Sequence, residues 1–127
     1  MKSSAFITVL VLASVAQAGR DWQDRVWDIL SAIDEINAFT KGFDVETFVA
    51  DPRTQRAVEM NFIVIGEAAN HIPDEVQERY ADVPWHLMRA MRNRLVHFYF
   101  NVDPQVLWQT VQEDLSALVA PLRALVE

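Results

Sequence analysis

Between Trp22 and Ile36 large apolar residues recur at Trp22, Val26, Ile29, Leu30, Ile33 and Ile36. The spacing is i, i+4, i+7, i+8, i+11, i+14, which lines all six along one stripe of an α-helix. A strand cannot use that pattern, because its side chains change face at every residue. No other segment shows sustained alternation, and no Asn-Gly or Asp-Gly pair is present to turn a hairpin. Three glycines and five prolines are too few for the many tight turns of an all-β domain. The chain is therefore expected to be helical.

Its punctuation agrees. Asp21 is a good helix N-cap, and Asp24 in the first turn suits the helix dipole. The first long helix is expected to end around Thr40-Lys41-Gly42, where glycine can take the left-handed position. Residues 44–51, DVETFVAD, allow a short helical turn. Asp51-Pro52 is a second start, an N-cap followed by proline. The helix from there is apolar over most of its girth between Asn61 and Ala69, so it should be central, and Gly66, Ala68 and Ala69 would admit a close neighbour. Pro73-Asp74-Glu75 opens a short acidic helix to about Tyr80. Pro84 opens the next helix, at about its first position, carrying Trp85, Leu87, Met88, Met91, Leu95, Val96 and Phe98. Asp103-Pro104 repeats the start signature, and the last helix should run to Leu125, kinked or shortened by Pro121. The expected architecture is an up-and-down bundle of four main helices with one or two short ones between them.

Residues 1–19 differ from the rest. Lys2, an apolar run from Ala5 and the small-x-small pattern Ala16-Gln17-Ala18 read as a secretory signal peptide. The competing reading is a start placed too far upstream, with translation beginning nearer Val15. Residues 20–127 are expected to form one helical domain, and they suffice in length for a real core. With no cysteine in the chain, disulfides and thiolate metal sites are excluded.

The net charge is −7, which on average repels a phosphate backbone. The distribution is uneven: from Val83 to Val102 there is no Asp or Glu, while the window holds His86, Arg89, Arg92, Arg94 and His97. At its centre is RNRLVHFY, residues 92–99. RNA carries its own nucleophile, the 2′-hydroxyl. A histidine can take that proton or protonate the leaving 5′-oxygen, and an arginine can offer its fork of donors to the charge building on phosphorus. Asn93 can orient the imidazole or donate to phosphate, Arg94 can bind phosphate, and Tyr99 adds a hydroxyl and a ring for a base to stack on. The stretch has no carboxylates to hold magnesium, which disfavours a two-metal nuclease. On a straight helix Asn93 and His97 share a face, but Arg92 lies about 140° round from His97. The two converge only if the arginine wraps, if the helix ends near His97, or if a second copy supplies the partner.

Arg92, His97 and Tyr99 form the pattern R-x4-H-x-Y, which resembles the signature of HEPN-superfamily ribonucleases and specifically of the HepT-like toxins. The segments RDWQDRVWDIL, NFIVIGEAAN, VPWHLMRAMRNRLVHFYFNVD and LWQTVQEDL resemble that family's segments in the same order, so the resemblance spans roughly Arg20 to Leu122. Phe98 departs from the pattern, since the family would carry a small residue there, often glycine. The resemblance implies an all-helical homodimer that cuts RNA without metal or cofactor. Arg92 would be the catalytic phosphate-binding arginine, His97 the general acid/base and Asn93 a supporting residue. The implied partner is a minimal nucleotidyltransferase antitoxin, which in some systems transfers AMP to the motif tyrosine, here Tyr99. A toxin with RNA and antitoxin as partners belongs in the cytoplasm, which favours a start placed too far upstream, or a leader that does not act, over export. The alternative function is a non-catalytic HEPN module that binds nucleotide or protein. A third reading, an exported helical protein, rests on the leader alone. Trp22, Trp27, Trp85 and Trp108 are expected in the core or an interface, His71 in a structural role and His86 exposed. Glu67 faces the site or a partner without being a catalyst.

Overall fold

The computed structural model describes residues 4–17 and 20–127, and every regular element among them is helical. Helix α1 spans Ala5–Gln17, α2 Trp22–Thr40, α3 Val45–Val49, α4 Pro52–Asn70, α5 Asp74–Arg79, α6 Trp85–His97, α7 Pro104–Glu113 and α8 Leu115–Arg123, with a 3-10 turn at Tyr99–Asn101. The all-α bundle expected from the sequence is what forms. Among the described residues no helix is long and apolar enough to cross a membrane. In α1 the side chains of Phe6, Ile7, Val9, Leu10, Val11 and Leu12 are exposed. Of the small-x-small pattern and the leader's end, Ala18 and Gly19 lie outside the described residues.

The starts are made as their residues suggest. Asp21 accepts from the Asp24 backbone N–H at 3.0 Å, and the Asp24 carboxylate accepts in return from the Asp21 N–H at 3.3 Å. Asp44 and Thr47 close the same reciprocal box at α3. Asp51 caps α4 through the Thr54 N–H at 3.1 Å, and Asp103 caps α7 through the Gln105 N–H at 2.9 Å. These bonds satisfy donors that the helix itself cannot. Gly42, just beyond the end of α2, has φ +81°, the left-handed backbone that glycine adopts without a Cβ penalty.

Helix α4 is central. It packs against α2 on one side and α6 on the other, while α7 and α8 lie on α3 and α2. Val26, Ile29, Ile33 and Ile36 of α2 are wholly buried, as are Phe48, Val58, Ala69 and Leu122. Each fully buried large side chain contributes about 1.5–3 kcal/mol. Two buried polar groups on α4 are satisfied: Asn61 donates to the Ala57 carbonyl at 3.3 Å, and Glu59 accepts a forked pair from Arg56 at 2.9 and 3.0 Å.

The structure refines the sequence reading at four points. Pro84 is the N-cap of α6 rather than its first residue: its ψ of 65° is not helical, and its carbonyl accepts from Leu87 and Met88. The last helix is not continuous. Its ladder is interrupted at Asp114, and Pro121 sits inside α8, which ends at Arg123. Proline there removes the N–H that would bond the Ala117 carbonyl, yet the break falls well before it. On α6 only Trp85, Met88 and Leu95 are buried; Leu87, Val96 and Phe98 are exposed, because the helix has α4 on one face only. Trp27 is 45% exposed on α2, whereas Trp85 is buried, and Trp22 and Trp108 pack against Tyr80 and Phe48.

Between α6 and the α7–α8 pair the bundle stays open. A groove of about 750 Å³ runs there, lined by Leu87, Met88, Met91, Leu115, Leu118 and Pro121 among others. Of the residues in RNRLVHFY only Arg94 reaches it.

Candidate active site

The position of Arg92 is set by a glycine on the neighbouring helix. At Gly66 of α4, an added Cβ would run into the Arg92 Cβ and come within 2.5 Å of the Met88 carbonyl oxygen. Only a residue without a side chain lets α6 cross so closely. The Arg92 side chain therefore leaves α6 directly over α4, where the next residue is Glu67. Arg92 Nε lies 3.1 Å from Glu67 Oε2. The N–H does not point along that line, so Nε, although buried, makes no hydrogen bond. The contact is an ion pair by distance alone. Arg92 Nη1 donates to Asn93 Oδ1 at 3.0 Å. The Arg92 side chain is 29% exposed and that of Glu67 47%. A pair this accessible adds little to stability, so its consequence lies in where it holds the guanidinium.

His97 is the last residue of α6 and is exposed. Among the described residues its ring makes no hydrogen bond or ion pair. The helix ends there because Phe98, with φ −131° and ψ 33°, leaves the helical path while its N–H still bonds the Arg94 carbonyl at 2.9 Å. Of the three ways Arg92 and His97 could converge, the early helix end is realised, yet nothing joins the two side chains within one chain. The structure brings Arg92, Asn93 and Glu67 together and leaves His97 beside them at the open end of the helix.

The remaining residues of the stretch form a second grouping. The Arg94 guanidinium lies over the Phe98 ring, 5.0 Å from its centroid, a cation–π contact. Tyr99 and Phe100 lie on the 3-10 turn with ring centroids 4.2 Å apart at 43°. Phe98 is 51%, Tyr99 50% and Phe100 84% exposed. Three consecutive exposed aromatic rings thus follow the histidine. Arg89 is not available to this end, since its Nη1 donates to Gln77 of α5. His86 is exposed, as expected. His71 Nδ1–H donates to the Glu67 carbonyl at 2.8 Å and closes α4, which is a structural role. Among the described residues no three His, Cys, Asp or Glu side chains cluster so as to hold a metal ion.

Sequence reasoning left two features unused. Glu67 was recognisable as the lone acidic residue between Met60 and Pro73, directly after the only glycine in that helix. Its partner was not, because pairing across two helices leaves no trace in the spacing along either. Phe100 carried no signal beyond its aromatic neighbours.

Comparison with known proteins converges on one family. The family model "Ribonuclease HepT-like" matches residues 29–125. The chain is 41% identical over 99 residues to a Thermococcus cleftensis protein named, by inference, ribonuclease HepT, covering 78% of this chain and 90% of that one. It is 36% identical over 99 residues to a Methanocaldococcus jannaschii protein named, again by inference, an RNase, covering 78% of this chain and 85% of the relative. A bacterial relative from Caldanaerobacter subterraneus subsp. tengcongensis, also with an inferred RNase name, is 33% identical over 87 residues, covering 68% and 78%. No solved structure gives a significant match.

Proposed function

Because this chain belongs to the HepT-like ribonuclease family, we propose that it is a metal-independent endoribonuclease and the toxin of a two-gene toxin–antitoxin module. The observation that carries the reading is the open end of α6. There an anchored arginine, a supporting asparagine and an unengaged, exposed histidine stand within one helical turn and a half.

In the proposed reaction His97 accepts the proton of the 2′-hydroxyl as the 2′-oxygen attacks phosphorus. The bond to the 5′-oxygen breaks, and that oxygen takes a proton from the imidazolium that His97 became on accepting the first one. The products are a cyclic phosphate and a free 5′-hydroxyl. Arg92 offers its outer nitrogens to the equatorial oxygens, where charge grows in the transition state. Asn93, bonded to Nη1, limits the rotation of that fork. Arg94 meets the backbone, and Tyr99 presents a ring to an adjoining base. Arg92 and His97 do not meet within one chain, so a homodimer in which a second copy completes the site follows naturally from the reading. The partner is a minimal nucleotidyltransferase. Tyr99 is half exposed and accessible to AMP transfer, which would add charge and bulk where RNA binds. RNA and antitoxin as partners make the cytoplasm the proposed place of work, with residues 20–127 as the proposed functional domain.

The test is RNA cleavage in EDTA, beside a His97→Ala variant, with protein checked by mass for AMP on Tyr99. Wild type should cut, and the variant should lose roughly 10²–10⁴-fold of the rate, the range for removal of a general acid/base. An unmodified wild type that binds RNA or nucleotide and cuts nothing would instead make the motif a phosphate-binding module.

A further inference from the structure

We propose that Glu67 is the positioning residue for Arg92: its carboxylate fixes the guanidinium so that the two terminal nitrogens, and not Nε, face the phosphodiester. The inference deepens the ribonuclease reading and rests on it for its kinetic part only.

Three observations carry it. Gly66 removes the side chain that would keep α6 away, so the Arg92 Cβ and Cγ sit against α4. Glu67 Oε2 lies 3.1 Å from Nε. Asn93 Oδ1 accepts from Nη1 at 3.0 Å. A guanidinium is planar, so contacts at Nε and at one Nη define its plane and leave Nη2 and one N–H of Nη1 for a ligand. Those are the donors that suit two phosphate oxygens.

The poor alignment of the Nε–H has a role in this picture. Nε is buried and unbonded, although a carboxylate is beside it. A small rotation of the half-exposed Glu67 side chain would convert the ion pair into a bond.

The arrangement has a sign that a purely structural residue would lack. Glu67 is negative and close to where phosphate binds, so it opposes ground-state binding of RNA while it orients the group that stabilises the transition state. Removing the charge should therefore separate the two effects. In Glu67→Gln, kcat for RNA cleavage falls at least about tenfold, while KM stays the same or falls. Glu67→Asp retains the charge on a shorter arm and recovers part of kcat. In an Arg92→Ala background, Glu67→Gln has no further effect on kcat, the coupling expected of a residue that works through its partner.

The experiment pairs these kinetics on the full chain with the NMR signal of the Arg92 Nε–Hε group, read with and without inorganic phosphate. Unchanged circular dichroism and melting temperature confirm that each variant is folded. Support is a shifted or broadened Nε–Hε signal in Glu67→Gln together with the kcat fall. An unchanged signal overturns the inference, whatever the activity. So does a kcat that is unchanged or raised, since Glu67 would then be a bystander or a brake. A wild type that cuts no RNA sinks the ribonuclease reading alone, and the Nε–Hε signal still decides whether Glu67 orients Arg92.

Discussion

Gly66 does work that no other residue could do at its position. Alanine is ordinarily the better helix former, by about 1 kcal/mol. Here the added methyl meets the Arg92 Cβ and the Met88 carbonyl, both fixed close to the backbone and unable to swing aside. The helices must separate, and overpacking of this kind costs typically about 1–3 kcal/mol. Gly66→Ala should therefore lower the urea midpoint without changing the slope of the transition, and it should slow RNA cleavage as well, because Arg92 moves with α6. A variant as stable and as active as wild type would show that the helices do not cross as closely as described. The residue scale is also where the sequence was hardest to read. Asn93, Arg92 and His97 could be singled out from residue type and order, but their neighbours across helices could not. Phe98 was noticed only for being larger than its place in the pattern expects. Its packing under Arg94 shows how that ring is accommodated, on the outside of the helix end and not in a core.

The helices themselves were largely legible, because their start signals are local chemistry. Asp21, Asp44, Asp51 and Asp103 each bond a backbone N–H within three residues. The same bonds hold two of these carboxyls below the usual aspartate range. For Asp44 and for Asp51 the largest cause is the backbone N–H of Thr47 and of Thr54 respectively, with the threonine hydroxyl next. A depressed carboxyl pKa contributes stability that is fully present above the unfolded value, about 3.9, and is lost as pH falls through the folded value. Asp51→Ala should thus melt at a lower temperature than wild type at pH 7, and the gap should close as the pH drops below about 4. A gap independent of pH from 7 to 3 would show that the cap does not act through its charge. What could not be read at this scale was the end of the chain. A break at Asp114 has no proline or glycine to announce it, and Pro121, which does announce one, is absorbed into α8. Nor could the pattern on α6 tell which of its apolar residues face α4. Trp85, Leu87, Met88 and Met91 look equally suited to a core until the neighbour's side is known.

At the scale of the molecule, a net charge of −7 stands against the acid-free stretch from Val83 to Val102. On the proposed reading, RNA meets this stretch against a repulsive background. The logarithm of the affinity should fall with the logarithm of salt concentration by about 0.7 for each phosphate contacted on a single strand. Arg94→Ala should reduce that slope by roughly 0.7, measured with a non-cleavable 2′-deoxy strand between low and physiological salt. No change would assign Arg94 to packing over Phe98 and nothing more. The overall architecture, a bundle with α4 at its centre, was foreseeable from where the apolar residues crowd. The open side between α6 and α7–α8 was not, since a sequence shows which faces are apolar and not which of them remain uncovered. That open side changes how α6 is held. The helix packs against α4 along one flank, and closely where Met88 and Arg92 meet Gly66. Mechanically this is a lever on a fulcrum. His97 stands five residues beyond Arg92, about 7.5 Å along the axis, so a tilt of about 10° would carry it roughly 1.3 Å while the arginine hardly moves. A displacement of that size spans the difference between a reacting and a non-reacting geometry. Anything that wedges into the groove beside Leu87 and Met91 would therefore adjust the spacing of the two motif residues without touching either.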